Sequence, residues 1–171
     1  MEGPGTVAVR IRSGWGWLVL VTLTVSTIGD EISLITLMFR AAENETRFAV
    51  PMLLIAQLLP GLIAAPFIGR FVDRRDAGRI LVVTGLAQAA LLAWIAGNTA
   101  MLPTLVGASV LSICFAISGT ATFALIPVLA TALGMPLSRA NSVLELVRGV
   151  GMLAGPVAGG ILIAWIGARI G

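Results

Sequence analysis

Four ionisable side chains sit where a chain this apolar tolerates them least. Asp30 and Glu31 interrupt the run "TIGDEISLITL", and Glu145 and Arg148 interrupt "SVLELVRGVG". A carboxyl at membrane depth can load and release a proton. A glutamate with an arginine three residues on shares a helix face with it and can pair with it. This is the chemistry of coupling and binding rather than of bond breaking. The chain has no His, no Tyr and no Lys, and Cys114 is its single thiol. It therefore offers no nucleophile paired with a base, no internal disulfide and no cysteine–histidine metal set. No phosphate-binding loop is present, and "GLAQAALLAWIAG" has no Walker pattern. The residues point away from an enzyme and away from an ATP-driven pump, with no cofactor and no metal.

The surroundings explain why those positions are costly. Of 171 residues, 58% are hydrophobic and only 11% are charged, and the mean hydropathy is +1.03. Soluble domains carry about 25% charged residues. The 59 residues from Ile80 to Ser138 pass without a charge. A bilayer-crossing helix uses about 20 apolar residues, so that stretch holds two spans and a turn. The fold class is all-α and polytopic, with about five transmembrane helices and the lipid bilayer as its solvent. The spans are expected at about 15–39, 48–68, 80–97, 102–125 and 142–165, between a tail at 1–14 and a short end at 166–171. The turns are "RAAENETR" at 40–47, the charged loop at 69–79 and "GNTAMLP"; Pro127 marks the far end of span four, and a connector, "TALGMPLSRAN", leads into span five.

Arginines orient these spans. Seven (Arg10, Arg12, Arg70, Arg74, Arg75, Arg79 and Arg139) fall on one side, and three (Arg40, Arg47 and Arg169) on the other. The positive-inside rule then puts the N-terminus and the 69–79 loop in the cytoplasm of a multi-pass plasma-membrane protein. The pI near 11 reflects this topology signal, so nucleic acid is not an expected partner. The first span is too long and too acidic at Asp30–Glu31 for a cleaved signal peptide, and it reads as a retained span. Trp15, Trp17 and Trp165 fall at interfacial positions, while Trp94 reads as packing. Gln57 and Asn141 are weaker polar candidates.

Span five carries "GVGMLAGPVAGGIL" at 149–162. Gly151, Gly155 and Gly159 recur every four residues and form one smooth stripe, which lets another helix approach backbone to backbone. Pro156 removes a backbone hydrogen bond and is expected to kink the helix, with Gly160 loosening it further. Tight packing in the bundle and a bend at a moving interface both fit.

Taken together these pieces resemble the major facilitator superfamily of secondary transporters. The loop between spans two and three of that family has the form G-x-x-x-D-[RK]-x-G-[RK]-[RK], and Gly69, Asp73 and Arg74 match it in position. Its fifth span carries an antiporter motif, G-x-x-x-G-P-x-x-G-G, matched by Gly151, Gly155, Pro156, Gly159 and Gly160. "TIGDEISLITL" and "ALIPVL…SRANSVLELVRGVG" look like the branch of drug, siderophore and macrolide exporters. The loop departs from the pattern at Asp76, where Gly is expected, and at Ala77 and Gly78, where basic residues are expected; Arg79 arrives one residue late.

The resemblance covers about residues 13–165. It implies a partial N-terminal six-helix half that works by alternating access between two rocking halves. Its expected activity is proton-coupled efflux of small molecules, with a small-molecule substrate and protons as partners. By carry-over, Gly69 is a close-packing position, and Asp73 and Arg74 form a conformational latch with the opposite half, with Arg79 standing in for the missing arginines. An acid near a helix N-terminus would be favoured by the macrodipole. Asp30, at the family's "GD" position, is the favoured cavity-facing acid, since neighbours on a helix point about 100° apart and Glu31 cannot face the same cavity equally. A charge at that depth costs at least about 2.5–3.5 kcal/mol. The alternative for Asp30 is a hydrogen bond to a neighbouring helix. For Glu145 and Arg148 the alternatives are a local or interhelical salt bridge and a substrate or coupling contact.

The family has about twelve spans, so the chain is expected to be a fragment of a longer transporter or a truncated product, and to transport nothing alone. The competing function is a non-transporting membrane protein that assembles with a partner through the glycine stripe.

Overall fold

The computed structural model describes residues 13–43, 46–98 and 100–170, with the side chains of 13–15 and 166–170 outside the described set. Arg10, Arg12, most of the 1–14 tail and the side chains of Trp15 and Arg169 therefore lie outside the described residues. The described chain is all helix and turn: α1 (Ser13–Ala42), α2 (Ala49–Val72), α3 (Ala77–Ala96), α4 (Met101–Ala124), α5 (Ile126–Leu133) and α6 (Leu137–Ile170). Five of these, all but α5, are long and apolar enough to cross a membrane. The protein is a multi-pass membrane protein of all-α fold.

The helices run past the expected boundaries, and the reasons are local. The second span ends at Val72 rather than 68, so Gly69 and Arg70 belong to the last turn of α2 and the 69–79 loop shrinks to Asp73–Asp76. Asp76 starts α3 three residues early by accepting the Arg79 N–H at 2.8 Å, an N-cap that satisfies a donor otherwise lost at a helix start. The connector before span five is mostly helical as well. Pro127 cannot donate to the Phe123 carbonyl and its ring crowds that group; α4 therefore ends at Ala124 and the chain restarts as α5. Gly134 closes α5 in the left-handed region at φ 62°, with the Met135 N–H reaching the Ala130 carbonyl at 3.0 Å. Such a cap favours a residue without a Cβ. The Pro136 carbonyl then accepts from Arg139 and Ala140 at 3.0 and 3.1 Å, so α6 begins at Leu137, not 142. Despite Pro156, α6 is one continuous helix of 34 residues.

A helix in hydrocarbon must satisfy its own polar groups. Accordingly, the hydroxyls of Thr22, Thr24, Thr27, Thr36, Thr84 and Thr120 each donate to the carbonyl four residues back, at 2.8–2.9 Å. The bundle consists of two packed blocks. In one, α1 lies along α6 with α5 against both; in the other, α4 packs on α2 and α3. Leu20, Leu23, Leu129 and Leu144 form the core of the first block. Ile68, Val72, Ile80 and Ala121 form a core of the second. A third cluster joins the blocks at the α1–α2 end through Leu37, Ala41, Ala49 and Leu53. Large apolar side chains that face away from both blocks, such as Leu153 at 77% exposed, are those that lipid would cover.

The glycine stripe is the seam of the first block. A Cβ at Gly151 would run into the Thr27 side chain, one at Gly155 into the Cβ of Glu31, and one at Gly159 would stand 3.4 Å from Ile35 Cγ2. Three residues of α1 spaced by four thus sit in three gaps of α6 spaced by four. The stripe is filled within the chain, so its buried face is not open to a partner helix. Gly160 meets nothing within 4 Å.

The two nearby glycines make a paired test. Gly155→Ala should lower stability by about 1–3 kcal/mol, because a Cβ there meets the rigid base of the Glu31 side chain and forces the helices apart. Gly160→Ala should be neutral or raise stability by about 0.5–1 kcal/mol through helix propensity. Thermal unfolding in one detergent measures both, and equal effects would contradict the seam.

Candidate functional site

A cavity of about 580 Å³ opens between the blocks, lined chiefly by α1, α4 and α6. From α1 come Ser26, Thr27, Asp30 and Glu31; from α6 come Glu145, Arg148 and Met152. All four ionisable residues singled out in the apolar runs therefore share one space. Asp30, the acid favoured for the cavity, lines it, and Glu31 lines it as well. The cavity is wide enough to be reached from two directions on α1. Glu31 reaches it with its stem lodged at Gly155. Neither carboxylate has an ion-pair or hydrogen-bond partner among the described residues.

On the α6 side, Arg148 Nη1 stands 3.5 Å from Glu145 Oε1, and the two side chains are 49% and 54% exposed. The pair is thus local to α6 and open to the cavity. The Arg148 guanidinium also lies over the Phe123 ring of α4, 5.0 Å from its centroid, which ties the two blocks together across the cavity. An arginine on an aromatic face is attracted by the ring quadrupole.

The fourth helix supplies residues that sequence reasoning misses. Phe115, Ser118, Thr122 and Phe123 line the cavity from α4. Ser118 also accepts a hydrogen bond from Gln88 Nε2 of α3 at 3.4 Å. The signal lies in "FAISGTATF": two hydroxyls four residues apart on one face, with aromatics near each end. Arg40, on sequence alone, is only a topology signal. Its Nη1 donates to the Ile95 carbonyl at 2.7 Å, satisfying the C-terminus of α3 where helix carbonyls lack partners.

The loop residues read as a latch are not part of this cavity. A Cβ added at Gly69 would meet nothing within 4 Å, so Gly69 is not a close-packing position within this chain. Asp73 follows the last turn of α2, the negative end of a helix dipole, so the favourable acid at a helix N-terminus is Asp76 instead. Asp73, Arg74 and Arg79 are exposed, with no ion pair among the described residues. Arg75 stacks on Phe71 at 4.6 Å. Gln57 has a buried Oε1 without a hydrogen-bond partner among the described residues, and Asn141 is exposed on the first turns of α6. Trp94 packs beside Gly107, and Trp17 is 63% exposed. Among the described residues no three of His, Cys, Asp and Glu gather to hold a metal ion.

Comparison of the chain with protein-family models, with curated proteins and with solved structures finds no match in any of the three.

The cavity can be mapped with thiols. In a Cys114→Ala background, Ser118→Cys should react with a charged, water-soluble maleimide, because it lines the cavity. Ser112→Cys should stay unreactive, because Ser112 is buried, with its hydroxyl accepting from the Gly61 N–H at 3.0 Å. Equal labelling of both positions would mean that the cavity is not open to water.

Proposed function

We propose that the chain is part of a proton-coupled efflux transporter of the major facilitator type, working by alternating access in the plasma membrane. The observation that carries this reading is the gathering of Asp30, Glu31, Glu145 and Arg148, from two helices, in one cavity within the spans. Ionisable groups at membrane depth are costly and are retained where they face a pathway. Asp30 and Glu31 have no ion-pair or hydrogen-bond partner among the described residues, which suits them to exchange a proton; the Glu145–Arg148 pair and the α4 aromatics supply groups that can contact a substrate. The motif matches in the α2–α3 turn and along α6 support the same reading.

In this proposal the N-terminus and the α2–α3 turn face the cytoplasm, following the arginine balance. Gly69, Asp73, Arg74 and Arg79 then lie at the cytoplasmic surface, where a latch with a second half would close. The α1–α6 seam gives the block the rigidity that a rocking mechanism needs. Filling of the glycine stripe by α1 weighs against the alternative of a protein that assembles with a partner through that stripe.

The test uses inverted membrane vesicles from cells that express the complete reading frame, energised by a pH gradient. Small-molecule accumulation should follow the gradient, and Asp30→Asn should abolish the gradient-driven part while leaving the protein in the membrane. Unchanged gradient-driven accumulation in Asp30→Asn would defeat the proton-coupling proposal.

A further inference from the structure

Arg148 is held on two sides. Glu145 Oε1 lies 3.5 Å from its Nη1, and the Phe123 ring lies beneath its guanidinium at 5.0 Å. A planar cation on an aromatic face with a carboxylate in ion-pair reach is how a protein site holds an organic cation. Here the cation belongs to the chain itself. The carboxylates of Asp30 and Glu31, without an ion-pair or hydrogen-bond partner among the described residues, line the same cavity, so the space holds three acids and one base. Arg148 therefore has other counter-charges to move to on its long, flexible side chain.

We propose that Phe123 and Glu145 form a binding subsite for a planar organic cation (an amidinium, a guanidinium or a ring-delocalised ammonium), and that Arg148 is its tethered occupant. A free cation takes the place over Phe123 and beside Glu145, and Arg148 moves toward Asp30 and Glu31. Each positive charge keeps a counter-charge throughout, so the exchange is balanced. An anion gains nothing from it, since the subsite would present it with a carboxylate and the electron-rich face of a ring. This names a substrate class for the transport reading and depends on that reading for its use in the cell. Binding itself needs no gradient.

The test is fluorescence anisotropy of ethidium with the 171-residue chain in phosphatidylcholine nanodiscs, with the anionic dye fluorescein as control. Ethidium should bind saturably and fluorescein should not. Phe123→Leu and Glu145→Gln should each weaken ethidium binding by about two- to fivefold, the range expected for a half-exposed cation–π or ion-pair contact. Arg148→Ala should tighten it several-fold by removing the tethered competitor, an effect that a merely structural arginine would not produce. Thermal unfolding in the same discs identifies any variant that fails to fold, and Arg148→Gln then replaces Arg148→Ala and Phe123→Met replaces Phe123→Leu. The proposal is overturned if ethidium does not saturate, if fluorescein binds equally, if Arg148→Ala weakens or leaves binding unchanged, or if Phe123→Leu and Glu145→Gln bind as the wild type does. The predicted binding pattern without gradient-driven flux would remove the transport reading and leave the subsite. Gradient-driven flux without the pattern would do the reverse.

Discussion

The contact on which the rest of this structure depends is the stem of Glu31 lying in the gap left by Gly155. Two helices in hydrocarbon gain nothing from hiding apolar surface from each other, because lipid is equally apolar. They associate where small residues allow close van der Waals packing. Thr27, Glu31 and Ile35 of α1 meet Gly151, Gly155 and Gly159 of α6, and the matched spacing sets both the separation and the register of the two helices. The register in turn decides which groups share the cavity. With Glu31 at Gly155, the acids of α1 and the Glu145–Arg148 pair, about two to three turns back along α6, come to line one space. A slide of one turn along the seam would change that grouping.

The cavity exists because the seam holds α1 to α6 while α4 is held elsewhere, on α2 and α3. The blocks join at the α1–α2 end through buried Leu37, Ala41, Ala49 and Leu53, and Arg40 reinforces that end by capping α3. Between them, Arg148 over Phe123 crosses the open space. The blocks also meet where α4 runs into α5 and where Leu81 of α3 packs on the first core, so ligand binding can alter the exposed arginine contact without disturbing either core. The threonine hydroxyls leave those cores undisturbed as well, since they return to their own helices.

Much of this is legible in the sequence, for physical reasons that can be named. Five spans follow from hydropathy, because in lipid a helix needs only length and apolarity to be recognised. The glycine stripe follows from its period of four, and the cost of charge at depth is what singles out Asp30, Glu31, Glu145 and Arg148, which line one cavity. Helix ends are less legible. Capping by Asp76 and the turn at Gly134–Pro136 are local backbone events that hydropathy does not weigh, so the 69–79 loop and the connector before α6 both come out too long. Least legible is the partner across the cavity. Span four has no charge to draw attention, and nothing in the spacing of Phe123 announces that it will lie beneath Arg148. That pairing is made by the placement of one block against the other. The stretches that resemble the transporter motifs lie between these cases: the one in α6 has a packing role within the chain, whereas a Cβ at Gly69 would meet nothing and Asp73 and Arg74 are exposed with no ion pair among the described residues.

The register of the seam is the central claim, and a disulfide measures it directly. A Cβ at Gly159 would lie 3.5 Å from Ile35 Cβ, at the short edge of the range of about 3.5–4.5 Å that a disulfide spans. In a Cys114→Ala background, the pair Ile35→Cys and Gly159→Cys should form an intramolecular bond under mild oxidation in membranes, seen as a reducible shift in gel mobility. The pair Ile35→Cys and Gly160→Cys, which turns the second thiol off the seam, should not. Cross-linking of the second pair, or of neither, would contradict the α1–α6 register and with it the grouping of charges in the cavity.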